Sequence, residues 1–129
     1  MKQFITGIGG VFFRSSDPAA TYQWYRDTLG LPANDYGHMF QSTAEDGQMI
    51  MTQWSVFLQG TEYFGNSGQA FMVNYRVQDM DGLIAHLKEQ DIPLLGGPEH
   101  YDYGTFIWIE DQAGYRIELW EPKGGFEEG

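Results

Sequence analysis

Apolar positions along this chain follow two periods in turn, and then do so again. Ile8 to Phe13 and Phe71 to Val77 read as strands, each followed within a few residues by an aspartate, Asp17 or Asp79. An aspartate there suits a helix cap, because its carboxylate accepts from the orphan amides of the first turn. Pro18 occupies the first helical position, where its missing N–H costs nothing. Ala20, Trp24 and Thr28 predict a stripe on the first helix, which stops at Leu29-Gly30, where glycine takes a left-handed conformation. Met80, Leu83, Ile84 and Leu87, at i, i+3, i+4 and i+7, predict a second helix ending before Pro93. Each half continues into a hairpin. Met39 to Ser42 and Met49 to Phe57 flank Glu45-Asp46-Gly47, and Thr105 to Ile109 and Tyr115 to Trp120 flank Asp111 to Gly114. A short strand is expected before each hairpin, near Leu31 to Tyr36 and near Pro98 to Tyr103.

The two halves share more than their order of elements. Phe13-Arg14-Ser15-Ser16-Asp17 returns as Tyr75-Arg76-Val77-Gln78-Asp79. The reading is one α+β domain over residues 1–129, built as two tandem βαβββ modules forming an open curved sheet. Module one covers about 5–58, a polar glycine-rich linker 59–70, module two 71–122, and a tail 123–129. Striped helices cover one face of the sheet, so strand residues of the other parity face a concave side. That parity sends Val11, Phe13, Val73, Tyr75, Val77, Ile117 and Leu119 toward the helices. It sends Gly10, Phe12, Arg14, Met72, Asn74, Arg76, Arg116, Glu118 and Trp120 into a cup, where a small molecule would bind.

Composition narrows the partners. With 18 acidic against 7 basic residues and a net charge of −11, no basic face exists for nucleic acid or an anionic membrane. No cysteine is present, which excludes disulfides and thiolate metal sites and agrees with a cytoplasmic setting. The aromatic share of 16% is high enough to furnish a cavity wall as well as a core.

Asp17-Pro18 followed by Trp24-Tyr25-Arg26-Asp27-Thr28-Leu29-Gly30-Leu31 resembles the helix signature of the glyoxalase / bleomycin-resistance / extradiol-dioxygenase (vicinal oxygen chelate) superfamily. So does the closing run Asp111-Gln112-Ala113-Gly114-Tyr115-Arg116-Ile117-Glu118-Leu119-Trp120-Glu121-Pro122, and the resemblance spans roughly residues 5 to 122. It implies the paired-module cup and a homodimer. It also implies four metal-ligand positions, which fall here on Gly10, Met72, Met51 and Glu118. Only Glu118 suits a hard divalent ion, so the expectation is no metal and no cofactor. A makeshift metal site from His38, His100 and Glu118 is a lesser alternative, corresponding to a metal-dependent glyoxalase or dioxygenase with non-standard ligands.

The expected pocket is Phe12, Arg14, Met51, Trp54, Met72, Asn74, Arg76, Tyr103, Arg116 and Trp120, with Met49, Tyr63, Tyr101 and Trp108 nearby. The methionines could equally be core. Arg14, Arg76 and Glu118 could form a catalytic group with Glu118 as general base, or Glu118 could form a structural salt bridge with an arginine. Two functions stay open. One is a protein that binds a small, partly apolar or aromatic molecule without chemistry; the other is a metal-free lyase or isomerase working through Glu118.

Overall fold

In a computed structural model that describes residues 2–65 and 68–123, β1 (Ile5–Ser15) runs directly into a capped helix. The Asp17 carboxylate accepts from the Ala20 amide, Pro18 sits in the first turn, and α1 (Pro18–Leu29) stops at Gly30 with φ 71°. The chain continues through β2 (His38–Thr43), β3 (Met49–Leu58), β4 (Phe71–Val77), α2 (Met80–Glu89), β5 (Gly96–Tyr101), β6 (Gly104–Glu110) and β7 (Arg116–Pro122). Both hairpins and both aspartate caps lie where the sequence places them; the Asp79 carboxylate accepts from the Gly82 amide. On α2, Met80, Leu83 and Leu87 are buried and Ile84 half-buried, as the periodicity requires.

The face of α1 differs from the expectation. Trp24 is 53% exposed, and Ala20 and Thr28 are exposed with it. The inward stripe is instead Pro18, Tyr22 and Tyr25, at i, i+4 and i+7, with Tyr22 buried and the other two half-buried. Tyr22 packs with Ala33, Val56, Phe13, Leu31 and Trp54.

The same tyrosine explains a second difference. No strand forms near Leu31 to Tyr36; the segment contributes only an isolated bridge, Asn34 to Gly37. The Tyr22 hydroxyl donates to the Val56 carbonyl (3.1 Å) and accepts from its amide (2.8 Å), meeting both backbone groups that a further strand would have paired. Removing that oxygen with Tyr22→Phe strands both groups in the core. A loss of about 1–3 kcal/mol in unfolding free energy is expected, read from the shift of the urea midpoint at unchanged slope.

The seven strands form one mixed sheet in the order β2-β3-β1-β4-β7-β6-β5. The modules meet where β1 pairs antiparallel with β4; β1 pairs parallel with β3, and β4 with β7. Val11 lies opposite Val73, its counterpart 62 residues later in the repeat, which places a local two-fold between them. Three apolar clusters result. One lies under α2 (Val77, Leu83, Ile107, Leu119), one under α1, and one on the concave face (Phe12, Phe64, Met72, Trp108). Among the described residues no helix is long and apolar enough to cross a membrane.

Candidate functional site

The concave face carries a hollow of about 290 Å³. Phe12, Tyr63, Tyr103, Phe106 and Trp120 wall it, Met39 closes one side, and Gly9, Gln53, Asn74 and Glu118 lie at its polar floor. Strand register explains the floor. Gln53 of β3, Gly10 of β1, Asn74 of β4 and Glu118 of β7 stand level with one another across four neighbouring strands. Gly9 sits where the β1–β4 register slips, and a Cβ there would lie 2.2 Å from Asn74 Oδ1 and 3.0 Å from the Trp120 ring. Only glycine lets the Asn74 amide and the Trp120 indole approach that strand so closely.

Glu118 is 1% exposed. Its Oε1 accepts from Asn74 Nδ2 at 2.5 Å, and its Oε2 accepts from the Trp108 indole N–H at 2.8 Å and from the Tyr63 hydroxyl. Burial pushes its carboxyl above the usual range. The donors on Tyr63, Asn74 and Trp108 and the charge of Arg116 pull part of the way back. Burial, followed by the charge of Glu118, pushes the Tyr63 phenol well up, so it keeps its proton and remains a donor. Since the carboxylate fixes the Asn74 amide nitrogen on its own side, Oδ1 must face Gly9, where it is buried and accepts no hydrogen bond.

The expected pocket residues divide. Phe12, Asn74, Tyr103, Trp120 and Glu118 line the hollow. Trp54 does not: it is one residue out of phase with Gln53 and packs on Phe13, Tyr22 and Tyr25 on the helix side. Met72 is fully buried among Phe12, Phe64 and Trp108, so it is core. Met51 lies a step beyond the hollow, and its carbonyl accepts from Arg76 at 3.0 Å. Arg76 borders a separate recess with Thr6, Gln48 and Glu121. Arg116 lays its guanidinium over the Trp108 ring at 5.8 Å, outside the hollow.

Arg14 has a different task. It donates to the carbonyls of Gln59 (2.7 Å), Gln69 (2.8 Å) and Thr61 (3.0 Å) and covers the Phe64 ring at 4.9 Å. It thereby clamps the segment that carries Tyr63 into the cup. The grouping of Arg14, Arg76 and Glu118 is therefore not formed. The alternative salt bridge is not formed either: among the described residues the one ion pair is Lys2–Asp79, at 2.5 Å.

The register also revises one of the four positions that the resemblance pointed to. The repeat equates Gly10 with Met72, and the local two-fold agrees, since Gly10 stands beside Asn74 as Met72 stands beside Phe12. Phe12 pairs with Ser55 as Asn74 pairs with Glu118, so the module-one counterpart of Glu118 is Ser55 and not Met51. Counting from the turn glycine missed this because β3, with 10 residues, outruns β7, with 7. His38 and His100 lie on β2 and β5, the opposite edges of the sheet. Among the described residues no three His, Cys, Asp or Glu side chains gather into a metal-binding group.

Sequence reasoning by strand parity missed Gly9, Met39, Gln53 and Phe106 as lining residues. Gln53 and Phe106 share the parity of Met51 and Trp108, so extending the alternation along β3 and β6 would have found both.

Solved structures share this arrangement. Methylmalonyl-CoA epimerase from Mycobacterium tuberculosis superposes with a TM-score of 0.64 at 20% identity, covering 95% of this chain and 91% of that one. A Streptomyces coelicolor methylmalonyl-CoA epimerase variant in complex with 2-nitronate-propionyl-CoA gives 0.69 at 16% identity, covering 97% of this chain and 99% of that one. No curated protein matches the chain in sequence. The model of the Glyoxalase/Bleomycin resistance protein/Dioxygenase superfamily matches residues 7–119. With seven-eighths of its length covered by that match and the paired-module sheet in place, the chain belongs to this superfamily.

Proposed function

We propose that the protein binds a small, flat, largely apolar molecule in the cup and does so without a divalent metal. The observation that carries this reading is a hollow walled by five aromatic rings over a carboxylate whose two oxygens already serve three donors. A hard divalent ion needs several oxygen lone pairs, preferably anionic. At the level of Glu118 the neighbouring strands offer Asn74, Gly10 and Gln53, whose only side-chain oxygens are neutral amides, and the three N–H and O–H donors aimed at the carboxylate would repel a cation seated between them. This donor set does not fit the metal. Self-association as a homodimer and a cytoplasmic setting, both expected from the sequence, belong to the same proposal.

Trp120 lines the hollow and Trp108 borders it, so indole fluorescence should report occupancy. A panel of small aromatic compounds should give saturable quenching, unchanged after exhaustive treatment with EDTA, with no rise in melting temperature on adding Mn, Ni, Co or Zn ions. Binding that disappears with EDTA and returns with one of those ions would overturn the metal-free reading.

A metal-free lyase or isomerase with Glu118 as base is the second reading. It is favoured by the upward push that burial gives the carboxyl and by the epimerases among the similar folds. It is opposed by the three donors on that carboxylate, which favour its charged form and leave one lone pair, on Oε1, to take a proton. An acyl-CoA substrate is further disfavoured, because among the described residues no Lys or Arg lines the hollow to meet its phosphates.

A further inference from the structure

We propose that the molecule held in this cup is a protonated organic amine with an aromatic or similarly flat body. The inference rests on the binding function above and names its ligand class. Its first support is the direction of the hydrogen-bonding groups at the floor. Asn74 is 3% exposed, and its Oδ1 accepts no bond and packs against Gly9 at the cavity floor. Gln53 spends its amide N–H on Ser55 Oγ at 2.9 Å, which leaves its oxygen as the acceptor. Beside them lies the Glu118 carboxylate, which makes no ion pair among the described residues. The floor therefore presents acceptors, one of them buried and unmet, and asks the ligand for N–H donors. A buried acceptor left unmet costs about 1–3 kcal/mol, so a ligand that supplies the donor recovers that cost.

The second support is independent of the first and concerns charge. A recess of about 230 Å³ adjoins the hollow and shares Tyr63, Tyr103 and Phe106 with it. Glu99 borders that recess, so among the described residues the combined cleft is bounded by two carboxylates, and neither part is lined by Lys or Arg. Of the arginines nearest the cup, Arg14 donates to backbone carbonyls and Arg76 to the Met51 carbonyl, while Arg116 lies over the Trp108 ring outside the hollow, where its charge offsets part of that of Glu118. Between the carboxylates stand aromatic faces. Phe106 stacks on Trp120 at an interplanar angle of 10°, and Tyr101 on Tyr103 at 2°. Aromatic faces attract a cation through their quadrupole, by up to about 2 kcal/mol when water is excluded. The net charge of −11 draws cations toward the cleft and repels anions.

Three soluble probes of nearly one shape test this: benzylammonium, benzyl alcohol and benzoate, each titrated into the full-length protein at one pH and ionic strength with indole fluorescence as readout. Benzylammonium should bind about tenfold tighter than benzyl alcohol, and benzoate most weakly. In Glu118→Gln the preference for benzylammonium over benzyl alcohol should fall to about threefold or less. Equal or tighter binding of benzyl alcohol or benzoate by the unmodified protein overturns the amine and leaves the binding function standing. A full preference retained in folded Glu118→Gln also overturns it. No saturable binding of any of the three overturns both. The ranking in the unmodified protein decides by itself if Glu118→Gln does not fold.

Discussion

Replacing Glu118 by leucine should destabilise the protein by about 3–5 kcal/mol, since three buried donors lose their acceptor at about 1–3 kcal/mol each and Tyr63 can partly turn to solvent. The donors are Asn74 Nδ2, the Trp108 indole N–H and the Tyr63 hydroxyl, and the first two come from side chains 3% and 4% exposed. Against a typical reserve of about 5–15 kcal/mol, that loss takes a large share of the stability, and urea unfolding followed by circular dichroism measures it directly. Glu118→Gln should lose less, because it keeps one acceptor. The pair also isolates a pH effect. Burial raises the folded carboxyl above its unfolded value, so its contribution is fully present at low pH and is lost as pH rises through the folded value. The stability of the unmodified protein minus that of Glu118→Gln should therefore decline over that interval; a difference that rises with pH would contradict the assignment.

Trp120→Ala should cost about 3–5 kcal/mol, the range for deleting a large buried aromatic side chain. Trp120 is 6% exposed, stacks on Phe106 with centroids 5.9 Å apart, and donates its indole N–H to the Tyr103 carbonyl at 2.9 Å. The change removes one wall of the cup and frees the turn that holds Tyr103, so binding of aromatic probes should weaken together with the melting temperature. Trp120→Phe separates the two contributions. It keeps a ring against Phe106 but loses the bond to Tyr103, and should recover most of the stability while leaving the mouth of the cup less well held.

Much of this architecture could be read from residue patterns, and the exceptions have physical causes. Strand parity placed Phe12, Asn74, Glu118 and Trp120 on the concave face, because side chains alternate strictly along a strand and both helices cover the other side. The stripe of α2 was plain, since its apolar residues are aliphatic and its polar ones charged. α1 was ambiguous because its aromatics lie on more than one face, and only Tyr22 and Tyr25 meet β3. The exact floor of the cup escaped prediction. It depends on the register between strands, and neither the slip between Ile8 and Gly10 nor the extra length of β3 can be read from offsets along the chain. Tyr63 belongs to a segment that reads as a connector, and what brings it to Glu118 is Arg14, whose bonds to three main-chain carbonyls leave no trace in composition.

The pairing of β1 with β4 sets Gly9 and Gln53 from the first half of the chain beside Asn74 and Glu118 from the second. Two separate polypeptides could bring those residues together only by collision, with an occupancy that falls on dilution. Joined in one chain, they meet at a local concentration that dilution cannot lower, so the chamber persists even when the protein is scarce.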